Sequence, residues 1–519
     1  MPEVYINANY LRRHAAGCGR NRKSLRIFFK GEIQMEKKAV QNKMGTAPVK
    51  TLLLSMGIPM IISMALQALY NIVDSYFVSQ MGNEIVSGGM TLGECGMNAL
   101  TLAFPVQMLM VAIGVGTGVG VNAILSRSLG TGDKEKAAKI AGNSIFLGLC
   151  TFIVFLLFGL FGTGAYIDSQ TNDPVIRQMA VEYLGICCIL SLGISLYMIY
   201  EKLLQSTGRT MLSTIAQISG AVINIILDPI MIFGLFGMPK LGIAGAAYAT
   251  VIGQYVSFIL DAVFHYKYNK KDFATSVRYT KPDLPVIIEI YRIGIPAILM
   301  QALMSFMTYG VNIIFGNVST EAVTAYGLYY KIQQFVLFAS FGMNNAMIPV
   351  IAFNYGKNDR RRVTDGVRYG MIYTLIIMAA GLVLLQVFAV NLADVFALSE
   401  KTGELIVLSI RIITVGYLFI GANVAFQGIF QALGHGVASL IVSLLRLIVI
   451  DLPIAYALTF LPNADQVIWW AFPAAELGAM IYSILFMLRI HKNQISQLRI
   501  CEEAGTLSDD LRPLRQKLR

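Results

Sequence analysis

Twelve apolar runs, each long enough to cross a bilayer, are the strongest constraint on this chain. They fall near 52–79, 98–125, 140–163, 180–204, 211–236, 242–265, 286–314, 322–353, 366–391, 404–432, 437–461 and 466–488. A spanning helix needs about 20 residues. Barrel strands would instead alternate apolar and polar residues in segments of about 10. Only units that satisfy their own backbone hydrogen bonds survive in lipid, so the runs are predicted to be helices and the fold an all-α membrane protein. Composition agrees: 56% of the 519 residues are hydrophobic, only 14% are charged, and the mean hydropathy is +0.63. An ordinary soluble domain is about 25% charged. A soluble enzyme is therefore excluded. So is a nucleic-acid binder, because the net charge of +11 resides in membrane loops and tails. The six cysteines, Cys18, Cys95, Cys150, Cys187, Cys188 and Cys501, lie mostly inside apolar runs without a paired framework and read as packing residues.

Lys and Arg placement predicts the orientation. With the N-terminus inside, the inner segments collect Arg127, Lys134, Lys136, Lys139, Lys202, Arg209, Lys267, Lys270, Lys271, Arg278, Lys281, Lys357, Arg360, Arg361, Arg362 and Arg368. The outer loops keep chiefly Lys240 and Lys401. Both termini are thus expected in the cytoplasm, with Trp469 and Trp470 as an aromatic belt at the outer face. The N-terminal tail has no apolar signal-peptide core. Met35 offers an alternative start. The tail's basic residues, Arg20, Lys23, Arg26 and Lys30, either touch anionic lipid or belong to a disordered tail.

The two halves resemble each other. Gly130-Thr131-Gly132-Asp133 matches Gly356-Lys357-Asn358-Asp359 at an offset of 226, and Gln205-Ser206-Thr207-Gly208 matches Gln431-Ala432-Leu433-Gly434 at the same offset. Asp228-Pro229 has a near match in Asp451-Leu452-Pro453. Gly57-Ile58-Pro59 recurs as Gly294-Ile295-Pro296 at an offset of 237, which implies an insertion of 11 residues around Ile85–Met97. Six helices per repeat relate the halves by an axis along the membrane normal. The expected layout is a basic tail 1–50, an N-lobe 51–266, a cytoplasmic linker 267–284, a C-lobe 285–490 and a tail 491–519. Duplicated lobes suggest a substrate site between them and alternating access, which favours a transporter over a receptor.

No GxxxxGK[ST] phosphate loop occurs, so no ATPase of that type is encoded. The four histidines, His14, His265, His435 and His491, are scattered, and His435 reads as a solvated loop residue. A carrier driven by an ion gradient remains. One charge moving down 100 mV releases about 2.3 kcal/mol. That supports a concentration ratio on the order of 50.

An ionised side chain at mid-membrane costs at least about 2.5–3.5 kcal/mol and so needs a reason to be there. Gln67, Asn71 and Asp74 recur at i, i+4 and i+7 on the first span and share a face. Asn224 and Asp228 share a face on the fifth, and Pro229 frees the carbonyl of Ile225. Carboxylates, an amide oxygen and a spare carbonyl are hard oxygen ligands that could hold Na⁺ at Asp74, Asn224 and Asp228. Two carboxylates close together in a low dielectric also suit a proton carrier. The plainer reading of Gln67, Asn71 and Asn224 is helix-joining hydrogen bonds. Glu201, Asp261, Glu289 and Glu476 lie near span ends and read as interfacial and structural. Glu94 has no role in this scheme. Gly114, Gly116, Gly118 and Gly120 permit close helix packing. Pro59, Pro105, Pro296 and Pro349 mark gating bends or static kinks.

Asn224 through Pro229, with Gly242-Ile-Ala-Gly245-Ala-Ala-Tyr-Ala-Thr250, resembles the fifth and sixth helices of the multidrug and toxic compound extrusion (MATE) family. Gly57 to Asp74 resembles the first helix of its DinF/MepA-like branch. Leu102-Ala-Phe-Pro105, Gly118-Val-Gly-Val-Asn122 and Gly130 to Asp133 fit the second helix and its loop. The resemblance covers about 50–490. It implies twelve helices in two pseudo-symmetric six-helix lobes and antiport of Na⁺ or H⁺ against small amphipathic cationic drugs, with no enzyme activity and no cofactor beyond the coupling ion. Membrane lipid is the only other partner expected: no nucleic acid and no obligate protein. By position it implies a cation site of Asp74, Asn224, Asp228 and Thr250, a bending proline at Pro59, and cavity or gating roles for Gln67, Asn71 and Gln301. Some relatives carry acids in helices 7 and 10. This chain has Gln301 and Asn423 to Gln427 there, so no C-lobe ion site is expected. The alternative is a lipid-linked precursor or polysaccharide flippase, which would want a cationic cavity. The few intramembrane basic residues, such as Arg446, Lys331 and Arg411, argue against one.

Overall fold

The computed structural model describes residues 42–82, 84–87, 90–394 and 400–499. Most of both predicted tails, with Met35, Arg20, Lys23, Arg26, Lys30, Cys18 and Cys501, lies outside the described residues. The first lobe holds α1 (Val49–Ser79), α2 (Leu92–Thr131), α3 (Lys134–Phe161), α4 (Thr163–Asp168), α5 (Pro174–Ile189), α6 (Leu192–Gln205), α7 (Thr210–Phe233) and α8 (Ile243–Tyr268). The second holds α9 (Leu284–Gly316), α10 (Thr320–Gly356), α11 (Arg360–Asp394), α12 (Glu400–Ile413), α13 (Tyr417–Ala432), α14 (Gly436–Leu444), α15 (Asp451–Leu458), α16 (Ala464–Val467) and α17 (Ala471–Asn493).

Among the described residues eleven helices are long and apolar enough to span a membrane, and α5 with α6 supplies a twelfth as a pair bent by 46°. The break in the fourth span falls at Leu190, whose N–H closes the end of α5 on the carbonyl of Ile186. The eleventh span is also interrupted, by a π-helical turn over Leu445–Val449. By contrast, α1, α2, α9 and α10 run through Pro59, Pro105, Pro296 and Pro349 without a break.

Local signals set the helix ends. The Asp133 side chain accepts from the Lys136 N–H at 2.9 Å to start α3, and Gly132, at φ 78°, ends α2. The insertion forms a short antiparallel hairpin, β1 (Ile85–Ser87) with β2 (Met90–Thr91), and an isolated parallel bridge joins Asp359 to Arg499. Glu94, unassigned from sequence, closes a capping box: Thr91 Oγ1 accepts from its N–H at 3.3 Å, and its carboxylate accepts from the Thr91 N–H at 2.7 Å.

The packing shows how the lobes meet. One buried cluster draws on both halves, from Met44, Met56, Val121 and Ile199 to Ile290, Ala346, Ile351 and Ile429. It lies toward the end that carries the basic loops. A second cluster comes wholly from the C-lobe, around Tyr326, Ile410 and Trp469. A third comes wholly from the N-lobe, around Ala99, Tyr183 and Ile232. The lobes therefore share one core at the basic end and keep separate cores toward the other, the arrangement of a V.

At the base of the V the repeat axis is visible in reciprocal contacts. A Cβ on Gly130 would collide with the carbonyl of Phe353, and a Cβ on Gly356 would collide with the carbonyl of Arg127. Arg127 and Phe353 stand at the same offset of 226 as the two glycines. Along α2 the glycines divide between two neighbours: Gly114 and Gly118 meet Met198 and Lys202 of α6, while Gly116 and Gly120 meet Ile298 and Ile290 of α9. Close helix contact, not flexibility, accounts for the run. The periphery is apolar: Val154, Leu157 and Phe161 on α3, with Val383, Leu384 and Val387 on α11, are exposed as lipid would require.

The tryptophans divide. Trp470 is half exposed, as belt residues are, but Trp469 is fully buried, packs edge-on against Phe315 with centroids 5.0 Å apart, and donates to the Asp465 carbonyl at 2.9 Å. It is a core residue of the C-lobe. His435 is half-buried and hydrogen-bonded to Gln494 at 2.8 Å, not a solvated loop residue. The four described cysteines are unpaired.

Gly130→Val and Gly356→Val should each lower stability by about 1–3 kcal/mol through overpacking. Thermal unfolding of the purified protein in detergent will read this as a lower Tm, with Gly164→Val, which meets open space, unchanged.

Candidate functional site

Asp74 and Asp228 each lie five residues from the ends of their helices, Ser79 and Phe233, opposite the basic loops. At 1.5 Å per residue that is about 7.5 Å inside each span. This is the depth at which the lobes have parted. Asp228 is fully buried and Asp74 is 7% exposed.

Asn224 organises the pair. Its amide nitrogen donates to Asp228 Oδ1 at 3.3 Å and to Thr250 Oγ1 at 3.3 Å, which ties α7 to α8. Asn224 Oδ1, Asp228 Oδ2 and Asp74 Oδ1 are buried without a hydrogen-bond donor. Asp74, on α1, is close enough for its charge to act on Asp228. The result is a buried set of oxygens in which the Asn224 amide is shared between Asp228 and Thr250. Pro229 adds to it, because the residue has no N–H to meet the carbonyl of Ile225. Such a set suits a cation that prefers oxygen.

Four of the residues singled out from sequence therefore converge: Asp74, Asn224, Asp228 and Thr250. The others do not join them in one network. Gln67 on α1 and Gln301 on α9 are half-buried. The backbone of Asn71 belongs to α1, but its side chain lies outside those described. Pro59 is buried near the base of the V, where Gly57 approaches Met343 and the α1 backbone at Ile61 abuts Gly342 of α10.

Two tyrosines escaped the sequence reading. The charges of Asp74 and Asp228 both act on Tyr70, and that of Asp74 acts on Tyr183. Tyr183 accepts from Gln107 Nε2 at 3.4 Å, which links α5 to α2 beside the carboxylates. Tyr70 stands four residues before Asp74 on the same helical face, a spacing that could have flagged it. Nothing in the sequence pointed to Tyr183.

Two acids read as interfacial are not. Asp261 on α8 is fully buried with neither oxygen bonded. Glu476 on α17 is 6% exposed and paired with Arg446 at 2.6 Å. Glu289 does sit at a half-exposed edge, paired with Lys136 at 2.7 Å, and Glu201 lies beside Lys202 and Gln205. Proximity to a span end in sequence says nothing about which way a residue faces, and α8 and α17 turn these two inward.

Two six-helix repeats about an axis along the bundle, joined at one end and carrying buried carboxylates where they part, define a multi-pass membrane transporter. The MatE family model matches 59–230 and 296–457, one match per lobe, each beginning at the proline of a Gly-Ile-Pro. The chain belongs to the MATE family. It is 25% identical over 436 residues to the multidrug export protein MepA of Staphylococcus saprophyticus, covering 83% of this chain and 92% of that one. It is 25% identical over 444 residues to MepA of Staphylococcus aureus, covering 85% and 95%. Among solved structures it resembles the outward-facing conformation of a multidrug resistance MATE family transporter of the MOP superfamily, with a TM-score of 0.79, 24% identity, and coverage of 87% and 98%. It resembles a MATE structure in the bent conformation equally well, with a TM-score of 0.79, 24% identity, and coverage of 88% and 98%.

Asn224→Ala removes the one donor that Asp228 and Thr250 share. A loss of about 1–3 kcal/mol is expected, from the unmet acceptors left behind. Asp228→Asn removes a buried charge with no cationic partner and should leave Tm unchanged or raised. Unfolding of both variants beside the native chain, at one pH and without added Na⁺, tests the contrast.

Proposed function

We propose that this chain is a secondary multidrug exporter that exchanges Na⁺ or H⁺ for small amphipathic cationic compounds by alternating access. The observation that carries the reading is the pair Asp74 and Asp228, two buried carboxylates that each keep an oxygen no donor meets. A site of that charge holds a cation in one state and releases it in another. Release leaves negative charge beside the wall of the V, where a cationic substrate is attracted. The exchange of one for the other is then electrostatic competition. The names of the staphylococcal relatives support drugs as the substrate class.

The positive-inside rule, applied to the basic loops, supports a cytoplasmic position for the joined end of the V and for both termini. On that orientation the end at which each lobe keeps a core of its own faces outward. A flippase for anionic lipid-linked substrates would need cations facing the central space. Arg446 is held by Glu476 and is not free to meet an anion, which favours the exporter reading.

Ethidium accumulation in pump-deficient cells tests this directly. Native chain should lower cell-associated dye, and Asp228→Asn at matched protein level should return it to the value of empty cells. Full export by Asp228→Asn would remove the coupling role of that carboxylate. Equal dye in all three strains would remove the exporter reading for this dye class.

A further inference from the structure

The C-lobe holds a carboxylate that nothing so far employs. Asp451 is fully buried, and neither of its oxygens has a hydrogen-bond partner. It opens α15, immediately after the π-helical turn Leu445–Val449, whose register is fixed by the Ile450 N–H donating to the Leu445 carbonyl at 3.0 Å. One extra residue in a helical turn swings everything beyond it around the axis, and such turns occur frequently at functional sites. Here the turn delivers Asp451 into the lobe. Pro453 follows on α15 and leaves the carbonyl of Val449 without its α-helical donor, as Pro229 does for Ile225.

The neighbours set the charge. Arg446 Nε and one of its terminal nitrogens reach Glu476 Oε1 at 2.7 and 2.6 Å, and Asn423 Nδ2 donates to Glu476 Oε2 at 2.8 Å. Asn423 is held in turn by Ser483, whose hydroxyl donates to its Oδ1 at 3.1 Å. Glu476 and Arg446 are thus fully engaged with each other and neutral as a pair. Both act on Asp451 through space, but neither bonds to it. Tyr326 of α10 also feels the Asp451 charge. From Pro296 to Gly316, α9, which packs on α15, carries no ionisable side chain other than Tyr309, which is exposed. The Ile468–Trp470 turn beside α15 carries none. The cluster of Arg446, Glu476 and Asp451 therefore holds one uncompensated negative charge in an apolar lobe, a state that a low dielectric does not sustain without a neutralising cation.

The repeat supports a functional rather than accidental origin. Glu476 stands 226 residues after Thr250, the offset that relates Gly130 to Gly356; Asp451 stands 223 residues after Asp228 and two before Pro453, on the span answering to α7, where Asp228 directly precedes Pro229. The acids expected of a C-lobe site, on the spans now seen as α9 and α13, are indeed missing. The charge has moved to α15 and α17.

We propose that Asp451 is a second exchangeable cation site, the C-lobe counterpart of Asp228, which binds and releases one monovalent cation, H⁺ or Na⁺, during the transport cycle. The Arg446–Glu476 pair positions it and keeps the net charge of the cluster at one. A part in drug coupling rests on the exporter reading above; exchange at Asp451 itself does not.

Infrared difference spectroscopy on the full chain in lipid nanodiscs reads the exchange without any drug. Raising the pH in Na⁺-free buffer should remove a protonated-carboxyl carbonyl band. Asp451→Asn should lack one component of that band and keep the component that Asp228→Asn lacks. Asp451→Glu, which retains the group on a longer arm, should shift the component rather than delete it, and so covers the case in which the amide variant fails to fold. Loss of the component on adding Na⁺ at fixed low pH identifies Na⁺ as a ligand; loss with pH alone identifies the proton. Ethidium export should fall at least tenfold in Asp451→Asn and recover partly in Asp451→Glu. A spectrum in which neither Asp451→Asn nor Asp451→Glu alters the titrating band overturns the proposal, because Asp451 is then permanently protonated or permanently filled. That result leaves the Asp228 test untouched.

Discussion

The architecture hangs on a place where two backbones touch. Gly130 and Gly356 each press against a carbonyl of the other repeat, and the buried cluster around them draws side chains from both lobes. Toward the opposite end no such shared core exists, since each lobe has packed its own. Lipid gives apolar helices little reason to associate with one another, so close packing of small residues has to supply it. The joint is therefore local, and the separation of the two walls elsewhere follows from it.

Charge is the second organising term. Buried acids divide into those answered by the protein and those left unanswered. Glu476 has Arg446 and Asn423. Asp74, Asp228, Asp261 and Asp451 each keep at least one oxygen without a donor. In a soluble protein water would fill such gaps. Here no donor of the protein meets those oxygens, and the lobes frame them differently: an amide and a hydroxyl beside Asp228, a neutral ion pair near Asp451.

Much of this was legible in the sequence. Span number, the two repeats and their offset follow from hydropathy and from a handful of Gly and Gln positions, because membrane helices advertise their length. Asp74, Asn224 and Asp228 were visible because a charge in an apolar run is conspicuous and i, i+4 spacing fixes a face. What sequence could not give was which neighbour each face meets. Trp469 looked like a belt residue and is core; Asp261 and Glu476 looked interfacial and face inward. The π turn before Asp451 leaves no compositional mark, yet it decides where that carboxylate points. Glu94 was opaque until the hairpin placed Thr91 three residues ahead of it as a helix cap.

The glycines of α2 carry a further consequence. The helix is 40 residues long and stands between its own lobe and the other, with Gly114 and Gly118 against α6 and Gly116 and Gly120 against α9. Side chains on packed helices interlock, and separating them means unmeshing one set of knobs from another. The face that α2 turns to α9 has no knobs at these positions. The knobs at this seam come from α9 alone, Ile298 over Gly116 and Ile290 over Gly120, so the fit is one-sided: a single bulky side chain on α2 would wedge the lobes apart.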